Sequence, residues 1–282
     1  MEKYRAALLQ MDSGPDMEKN KEQVERLITE AAQRGATLAL LPETWDYIGR
    51  DMAGHGQPIP GSASEFLRGQ AQKHGIYLLG GSCSEAAEDG KIYNTSLFYS
   101  PQGELLGKYQ KTHLFDVDIS GENGEVGYQE SAEVLPGREL VTVDTELGSV
   151  GMSVCYDLRF PELYRLQTLA GAKILAVAAN FTHATGEAHW ELLLRARAVE
   201  NSCYVLACNQ CGQKAAFRSY GNSMVISPWG EILARAGESP CCLTAEIDLE
   251  QVARVRRELP SLKNRREDLY RLTLRRAGTE NR

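Results

Sequence analysis

The sequence predicts an α/β protein in which two packed sheets carry helices on their outer faces. Three observations predict it. The order strand, helix, strand, helix, strand, hairpin runs once through the first half of the chain and again through the second. The strands read as continuous apolar runs, which is the pattern of sheets covered on both faces. No Pro- or Ser-rich linker separates the halves. Residues 1–282 are therefore read as one domain, although a prior of about 150 residues per domain would also allow two.

In the first half, Tyr4–Gln10 reads as a strand. Asp16 is placed to cap a helix that runs to about Arg34, with Val24, Leu27, Ile28 and Ala31 at helical spacing. Gly35 ends it, and Ala36–Leu41 is a short buried strand halted by Pro42. Ser62-Ala63-Ser64-Glu65 has the capping-box pattern and opens a second helix ending near His74-Gly75. Ile76–Gly80 is a third strand. Ser96–Tyr99 and Glu104–Tyr109 flank the turn Ser100-Pro101-Gln102-Gly103 as a hairpin.

A polar, Gly-containing stretch from about Asp116 to Gly127 precedes the second half. Strands follow at Leu140–Asp144, Ser149–Cys155, Ile174–Ala178 and Tyr204–Asn209, with helices at about Pro161–Ala170 and Glu187–Glu200. A hairpin around Pro228-Trp229-Gly230 and a strand near Leu243–Ile247 complete it. Residues 260–282 carry Lys263, Arg265, Arg266, Arg271, Arg275 and Arg276 with little periodicity. They read as a C-terminal tail, either a solvated arm or a segment packed on a partner subunit.

Composition narrows the function classes. A hydrophobic fraction of 43% and a charged fraction of 24% are those of a globular chain with a substantial core. With 31 Lys+Arg against 38 Asp+Glu, the net charge of -7 provides no general basic surface for nucleic acid or acidic lipid. Seven cysteines are too sparse for a disulfide-stapled module, and the odd number leaves one unpaired. The apolar stretch Ala6–Leu9 is too short for a signal-peptide core, and no run approaches the roughly 20 residues that span a bilayer. The expectation is a soluble cytoplasmic protein with neither nucleic acid nor membrane as partner.

Three segments could carry chemistry. In Ser149–Glu162 an apolar strand ends at Cys155, and Pro161 suits the first turn of a helix. A thiol in such a turn lies beside unpaired backbone N–H groups, which favour a thiolate and can hold an oxyanion. By itself the pattern fits a nucleophile and an inert core thiol equally well. In Leu38-Ala39-Leu40-Leu41-Pro42-Glu43, the carboxylate follows a buried strand, at the sheet edge where open α/β folds build their sites. A surface carboxylate would fit there too. In Gly107–Asp116, Lys111 ends a hairpin strand, where a solvated lysine is the ordinary occupant.

Taken together, the three segments resemble the nitrilase superfamily of carbon–nitrogen hydrolases. Glu43 stands in Leu-Pro-Glu, Lys111 in Tyr-Gln-Lys-Thr-His-Leu-Phe-Asp and Cys155 in Val-Cys-Tyr-Asp-Leu-Arg-Phe-Pro-Glu. The resemblance continues through Thr185–Glu191, Arg195–Asn201 and Ser227-Pro228-Trp229-Gly230 to about Asp268-Leu269-Tyr270. It implies a four-layer αββα sandwich of two mixed sheets with outer helices, a Glu-Lys-Cys site, no cofactor and no metal. It also implies a homodimer or higher oligomer formed through sheet-covering helices, including those after Cys155 and around Trp190.

The implied chemistry is amide hydrolysis. Cys155 would attack the carbonyl and form a thioester, with Glu43 moving the proton and later activating water. Lys111 and the backbone N–H of Tyr156 would hold the oxyanion. Glu130, in Tyr128-Gln129-Glu130-Ser131, matches a second glutamate of the family that orients the lysine; a loop carboxylate is its other reading. Reference values leave the thiol about 4 units above the carboxyl, roughly 5.7 kcal/mol uphill for the proton transfer. Burial, the charge of Lys111 and the turn amides must close that gap, the last two by lowering Cys155. Lysine is a compact point charge, so Lys111→Arg is not conservative.

The substrate signals point two ways. Trp45-Asp46-Tyr47-Ile48-Gly49-Arg50-Asp51, Phe160-Pro161-Glu162-Leu163 and Gln210-Cys211-Gly212 resemble deaminated-glutathione amidases. His113-Leu114-Phe115-Asp116 and Tyr128-Gln129-Glu130-Ser131 resemble omega-amidases. Both groups open the terminal amide of a 2-oxo acid. Tyr47, Arg159, Asn180 and Phe181 are assigned to substrate binding, Arg159 either to a substrate carboxylate or to a salt bridge with Asp157 or Glu162. Ala179–Ala184 departs from the small-residue pattern of that loop in both groups. Other amidases and N-carbamoyl hydrolases of the superfamily are the alternative, and a catalytically silent scaffold the non-enzyme one. Cys203, Cys208 and Cys211 overlap an iron–sulfur spacing, but Tyr204–Asn209 reads as a buried strand with no loop to wrap a cluster. The five histidines form no zinc quartet, and no phosphate-binding glycine loop is present.

Overall fold

The computed structural model describes residues 3–121 and 124–274. Strands β1 (Lys3–Gln10), β2 (Leu38–Leu40), β3 (Tyr77–Leu79), β4 (Cys83–Ala86), β5 (Ile92–Tyr99) and β6 (Leu105–Gln110) form the first sheet with the late strand β17 (Cys241–Asp248). Its order is β17-β1-β2-β3-β5-β4, with β6 also paired to β5. The steps β1–β2–β3 are parallel and the rest antiparallel. A separate antiparallel hairpin, β7 (Asp116–Gly121) with β8 (Gly124–Gln129), occupies the polar stretch before the second half.

The second sheet runs β16-β15-β12-β11-β10-β9. Its members are β9 (Thr142–Thr145), β10 (Gly148–Val154), β11 (Ile174–Ala179), β12 (Tyr204–Asn209), β15 (Met224–Ile226) and β16 (Ile232–Arg235). The central strands β10, β11 and β12 are parallel. A small hairpin, β13 (Cys211–Gln213) and β14 (Arg218–Tyr220), follows β12.

Strand alternation builds the layers. Ala6 and Leu8 face Met152, Ala176, Leu206 and Cys208 across the gap between the sheets. Their neighbours Ala7 and Leu9 face outward, onto Val24, Leu27, Ile28 and Ala31 of α1 (Met17–Gln33). Helix α2 (Ser62–His74) covers the same face through Ala63, Leu67 and Ala71. On the other side, Leu175, Val177, Val205 and Ala207 meet Leu163 and Tyr164 of α3 (Pro161–Leu169) and Trp190, Leu194 and Ala198 of α4 (His183–Asn201). The result is the αββα sandwich, with one core between the sheets and one under each helix layer.

Local chemistry explains most boundaries. The Asp16 carboxylate accepts from the N–H groups of Glu18 and Lys19 and caps α1. Helix α2 is capped one residue earlier than its S-x-x-E pattern predicts: Gly61 is the cap, and Ser64 Oγ accepts from its N–H at 2.8 Å. Gly75, at φ +61°, closes that helix. Helix α4 begins at His183 rather than near Glu187, because Thr182 caps it by accepting from Thr185 N–H. Helix α5 (Leu249–Glu258) has no counterpart in the sequence reading, since only Val252 and Val255 are buried, with Leu249 packed more loosely on the core. Residues 260–274 form turns and are mostly exposed, with Arg265 paired to Glu267 at 3.1 Å. Arg275 and Arg276 lie outside the described residues. Cys203 faces the helix layer and Cys208 the inter-sheet core, pointing in opposite directions from β12 and its approach.

Leu206 is fully buried between the sheets. Leu206→Ala should lower unfolding free energy by about 2–5 kcal/mol, the range for opening a cavity in a packed core, measured by urea denaturation.

Candidate active site

The same edge of the sandwich collects four strand ends. Pro42 stops the chain after β2 and delivers Glu43; Lys111 follows β6 directly, Cys155 follows β10 and Asn180 follows β11. Glu130 comes from the end of β8, as the first residue of a short 3-10 turn. Cys155 opens another 3-10 turn that leads into α3, and its φ of +48° puts a residue with a side chain in the left-handed region. That conformation swings the chain sharply out of the strand.

Three of these side chains are almost wholly buried: Glu43, Lys111 and Glu130. Lys111 Nζ donates to Glu43 Oε1 at 3.0 Å and to Glu130 Oε1 and Oε2 at 2.9 and 2.8 Å. Glu130 Oε2 also accepts from the Phe115 N–H at 2.6 Å, which fixes the carboxylate to the lysine loop. Asn94 Nδ2 donates to Glu43 Oε1 at 2.9 Å, and Gln210 Nε2 donates to the Glu43 carbonyl at 3.0 Å. The Cys155 thiol faces the Glu43 carboxylate, the Lys111 ammonium and the backbone N–H of Asn180.

Charge balance then decides the resting protonation. Burial pulls the Lys111 ammonium down, but Glu130 and then Glu43 push it up and prevail, well above the usual lysine range. Cys155 is pushed well above the usual thiol range, first by burial and then by Glu43, against the opposing pull of Lys111 and the Asn180 amide. Lys111 and a backbone amide do pull the thiol down as expected, but burial and Glu43 outweigh them, so the thiol moves further from the usual carboxyl range rather than toward it. The lysine charge is already matched by two carboxylates, so a thiolate would be a second uncompensated negative charge.

The model of the carbon–nitrogen hydrolase family matches residues 5–257. The chain belongs to that family. As a carbon–nitrogen hydrolase it is 40% identical over 273 residues to an omega-amidase of Xenopus tropicalis, covering 96% of this chain and 98% of that one. It is 42% identical over 273 residues to a human deaminated glutathione amidase, covering 94% of this chain and 83% of the other. The crystal structure of the Caenorhabditis elegans NitFhit protein superposes with a TM-score of 0.90 at 37% identity, over 99% of this chain and 69% of that one.

The residues assigned to substrate binding do not all converge in this hydrolase. The Arg159 guanidinium lies over the rings of Phe181 and Tyr156, 5.6 and 5.8 Å from their centroids, with Nη1 3.3 Å from His189 Nδ1. The ion pairs considered for it, with Asp157 or Glu162, are absent among the described residues; Asp157 is engaged elsewhere. Phe181 packs on Trp190 and donates its N–H to Asn209 Oδ1 at 3.0 Å. Asn180 Oδ1 accepts from Ser219 Oγ at 2.6 Å. Tyr47 stacks on His55 at 3.6 Å and lines an open cavity of about 390 Å³ with Ser13–Pro15, Ile48–Arg50 and Gln213–Ala215. Glu43, Lys111 and Cys155 are not in its walls.

Asn94 and Gln210 were not singled out from sequence as parts of this site. Their signal is weak but present: Asn94 is an amide inside an otherwise buried strand, and Gln210 is one just beyond the end of another.

Removing the lysine charge strands two buried carboxylates on one point. Lys111→Met should lose roughly 3–5 kcal/mol of stability at neutral pH, the range for breaking a buried pair. In that variant the native state takes up a proton more readily than the unfolded chain, so part of the loss should return as pH falls. Chemical denaturation across pH measures both.

Proposed function

We propose that the chain is a cysteine-dependent amidase that releases ammonia from a small, carboxylate-bearing primary amide of the 2-oxo acid omega-amide class. The observation that carries this reading is the Lys111 ammonium, bridged between Glu43 and Glu130 beside the Cys155 thiol. The omega-amidase and deaminated glutathione amidase relatives support the substrate class, since those two names share a terminal amide on a 2-oxo acid.

Glu43 takes the Cys155 proton as Sγ attacks the amide carbonyl, so the negative charge moves from carboxylate to oxyanion and the site gains none. Lys111 and the Tyr156 N–H hold that oxyanion. Glu43 gives the proton to the departing nitrogen, the C–N bond breaks, and ammonia leaves a thioester on Cys155. Glu43 then deprotonates a water that attacks the thioester. The C–S bond breaks, the sulfur regains its proton from Glu43, and the carboxylic acid departs. The chain's own side chains and water carry every proton and electron pair.

Glu130 keeps Lys111 aimed while one of its N–H groups turns from carboxylate to oxyanion. Arg159, steadied by Tyr156 and Phe181 just beyond the nucleophile, pairs with the substrate carboxylate. Residues 1–282 act as a single hydrolase domain with a C-terminal tail. The seven free thiols suit a reducing compartment, the cytoplasm. The exposed apolar residues Leu192, Val199 and Trp229 on and beside α4 suit a homodimer or higher oligomer.

Cys155→Ala should abolish ammonia release from the preferred amide with the denaturation midpoint unchanged; turnover at the native rate would exclude the nucleophile. In a panel of 2-oxoglutaramate, deaminated glutathione, glutamine, aliphatic amides and N-carbamoyl compounds, one of the first two should give the highest kcat/KM.

Both Cys155 and Lys111 are held above their ordinary ranges. Between about pH 7 and 9, where a free thiol ionises near 8.5, kcat/KM should therefore stay flat. A sigmoidal rise centred there would mean a thiolate nucleophile formed before substrate binds.

A further inference from the structure

The nucleophile and the lysine stand on different sheets, Cys155 at the end of β10 and Lys111 at the end of β6. Their relative placement therefore depends on what joins the two turns. Asp157, two residues beyond the nucleophile and fully buried, does so. Its Oδ2 accepts from the Val154 N–H at 2.8 Å and from the Tyr109 hydroxyl at 2.6 Å. Its Oδ1 accepts from the His113 N–H at 3.1 Å, from His113 Nδ1 at 2.7 Å and from Thr112 Oγ1 at 3.1 Å. The partners bracket Lys111 on one side and Cys155 on the other. Burial and the Asp157 charge push the Tyr109 phenol well up, which keeps its proton in place. A second contact runs in parallel, the His113 ring stacking on Phe160 at 3.7 Å.

We propose that Asp157 is a positioning residue that ties the nucleophile turn to the lysine loop across the two sheets. By accepting from Val154 N–H it holds the chain at the point where Cys155 takes its left-handed conformation, and through Tyr109, Thr112 and His113 it sets where Lys111 stands relative to the sulfur. A carboxylate is required, not merely a polar group of that shape. Each oxygen accepts from one backbone N–H, and an amide would have to turn an NH2 group onto one of them. Asparagine is therefore isosteric here and still wrong.

This inference rests on the amidase reading, and the two fail separately: native turnover and its loss in Cys155→Ala test that reading, and the Asp157 series tests this one. Displacing a reacting group by about 1 Å costs on the order of 100-fold in rate. Asp157→Asn should therefore lower kcat by about 100-fold or more while KM changes by less than about threefold, with activity counted per folded active site. Tyr109→Phe and Thr112→Val each remove a single donor and leave the carboxylate in place. Each should lower kcat by roughly 3- to 10-fold, again at nearly constant KM. Should Asp157→Asn not fold, these two variants decide the matter. A purely structural role would lower the denaturation midpoint of the three variants and leave kcat of the folded enzyme at the native value, which overturns the proposal. A rise in KM at constant kcat overturns it too, because it would place Asp157 in ground-state binding.

Discussion

A lysine ammonium with almost no access to water lies between two equally buried carboxylates, and the rest of the site is arranged around that contact. Each ion alone would be costly to desolvate; together, with the Asn94 amide and the Phe115 N–H also donating to the carboxylates, their hydrogen-bonding demands are met. The three charges sum to one negative unit. Burial and the Glu43 charge in that surplus raise the neighbouring thiol and disfavour its ionisation. In the proposed reaction the same carboxylate, Glu43, is the group placed to accept the thiol proton.

The backbone supplies the other half of the constraint. Parallel strands in both sheets end at one edge, so residues far apart in sequence meet there without any of them lying in a long loop. Glu43, Lys111 and Cys155 are each the first or nearly the first residue off a strand, which gives them the rigidity of the sheet behind them. The left-handed turn at Cys155 lifts the sulfur clear of the strand and is held from both sides. Asp157 accepts from the residue before it, and the buried Arg197 guanidinium on α4 donates to the Leu158 carbonyl after it at 3.1 and 2.7 Å. A strained residue persists where its surroundings over-determine it.

Much of the layering is legible in the sequence because apolar strands and the periodic helix α1 carry their own signal, and Asp16 caps where its chemistry says it must. Short elements carry little: α5 buries only Val252 and Val255, with Leu249 packed more loosely on the core, and the alternation of Val117 with Ile119 and of Val126 with Tyr128 is brief within a polar, Gly-containing stretch. The site was legible in a different way. Glu43, Lys111 and Cys155 are each ambiguous alone, and only their joint resemblance to a known family brought them together. What no motif conveys is desolvation. Glu43 and Lys111 both neighbour Cys155 in the fold, one raising the thiol and one lowering it, and burial tips the balance upward. The arginine at position 159 likewise has acidic neighbours in sequence and aromatic ones in space.

The raised thiol is consistent with the proposed chemistry rather than opposed to it. A standing thiolate would be nucleophilic toward any electrophile or oxidant that reached it, and its reactivity per charge falls as its pKa falls. A thiol that yields its proton only when a carbonyl is in place avoids the first problem and keeps the intrinsic nucleophilicity of a high-pKa sulfur. The cost is geometric. In the proposed reaction the thiol gives up its proton as it attacks, and that requires Sγ, Glu43 and the oxyanion donors to be correctly placed at once. The sulfur is carried by one sheet and the carboxylates and ammonium by elements of the other half, so the tolerance must be set where the two halves are tied. On the proposed reading, a site that keeps its nucleophile neutral depends for that reason on buried positioning contacts across its two sheets.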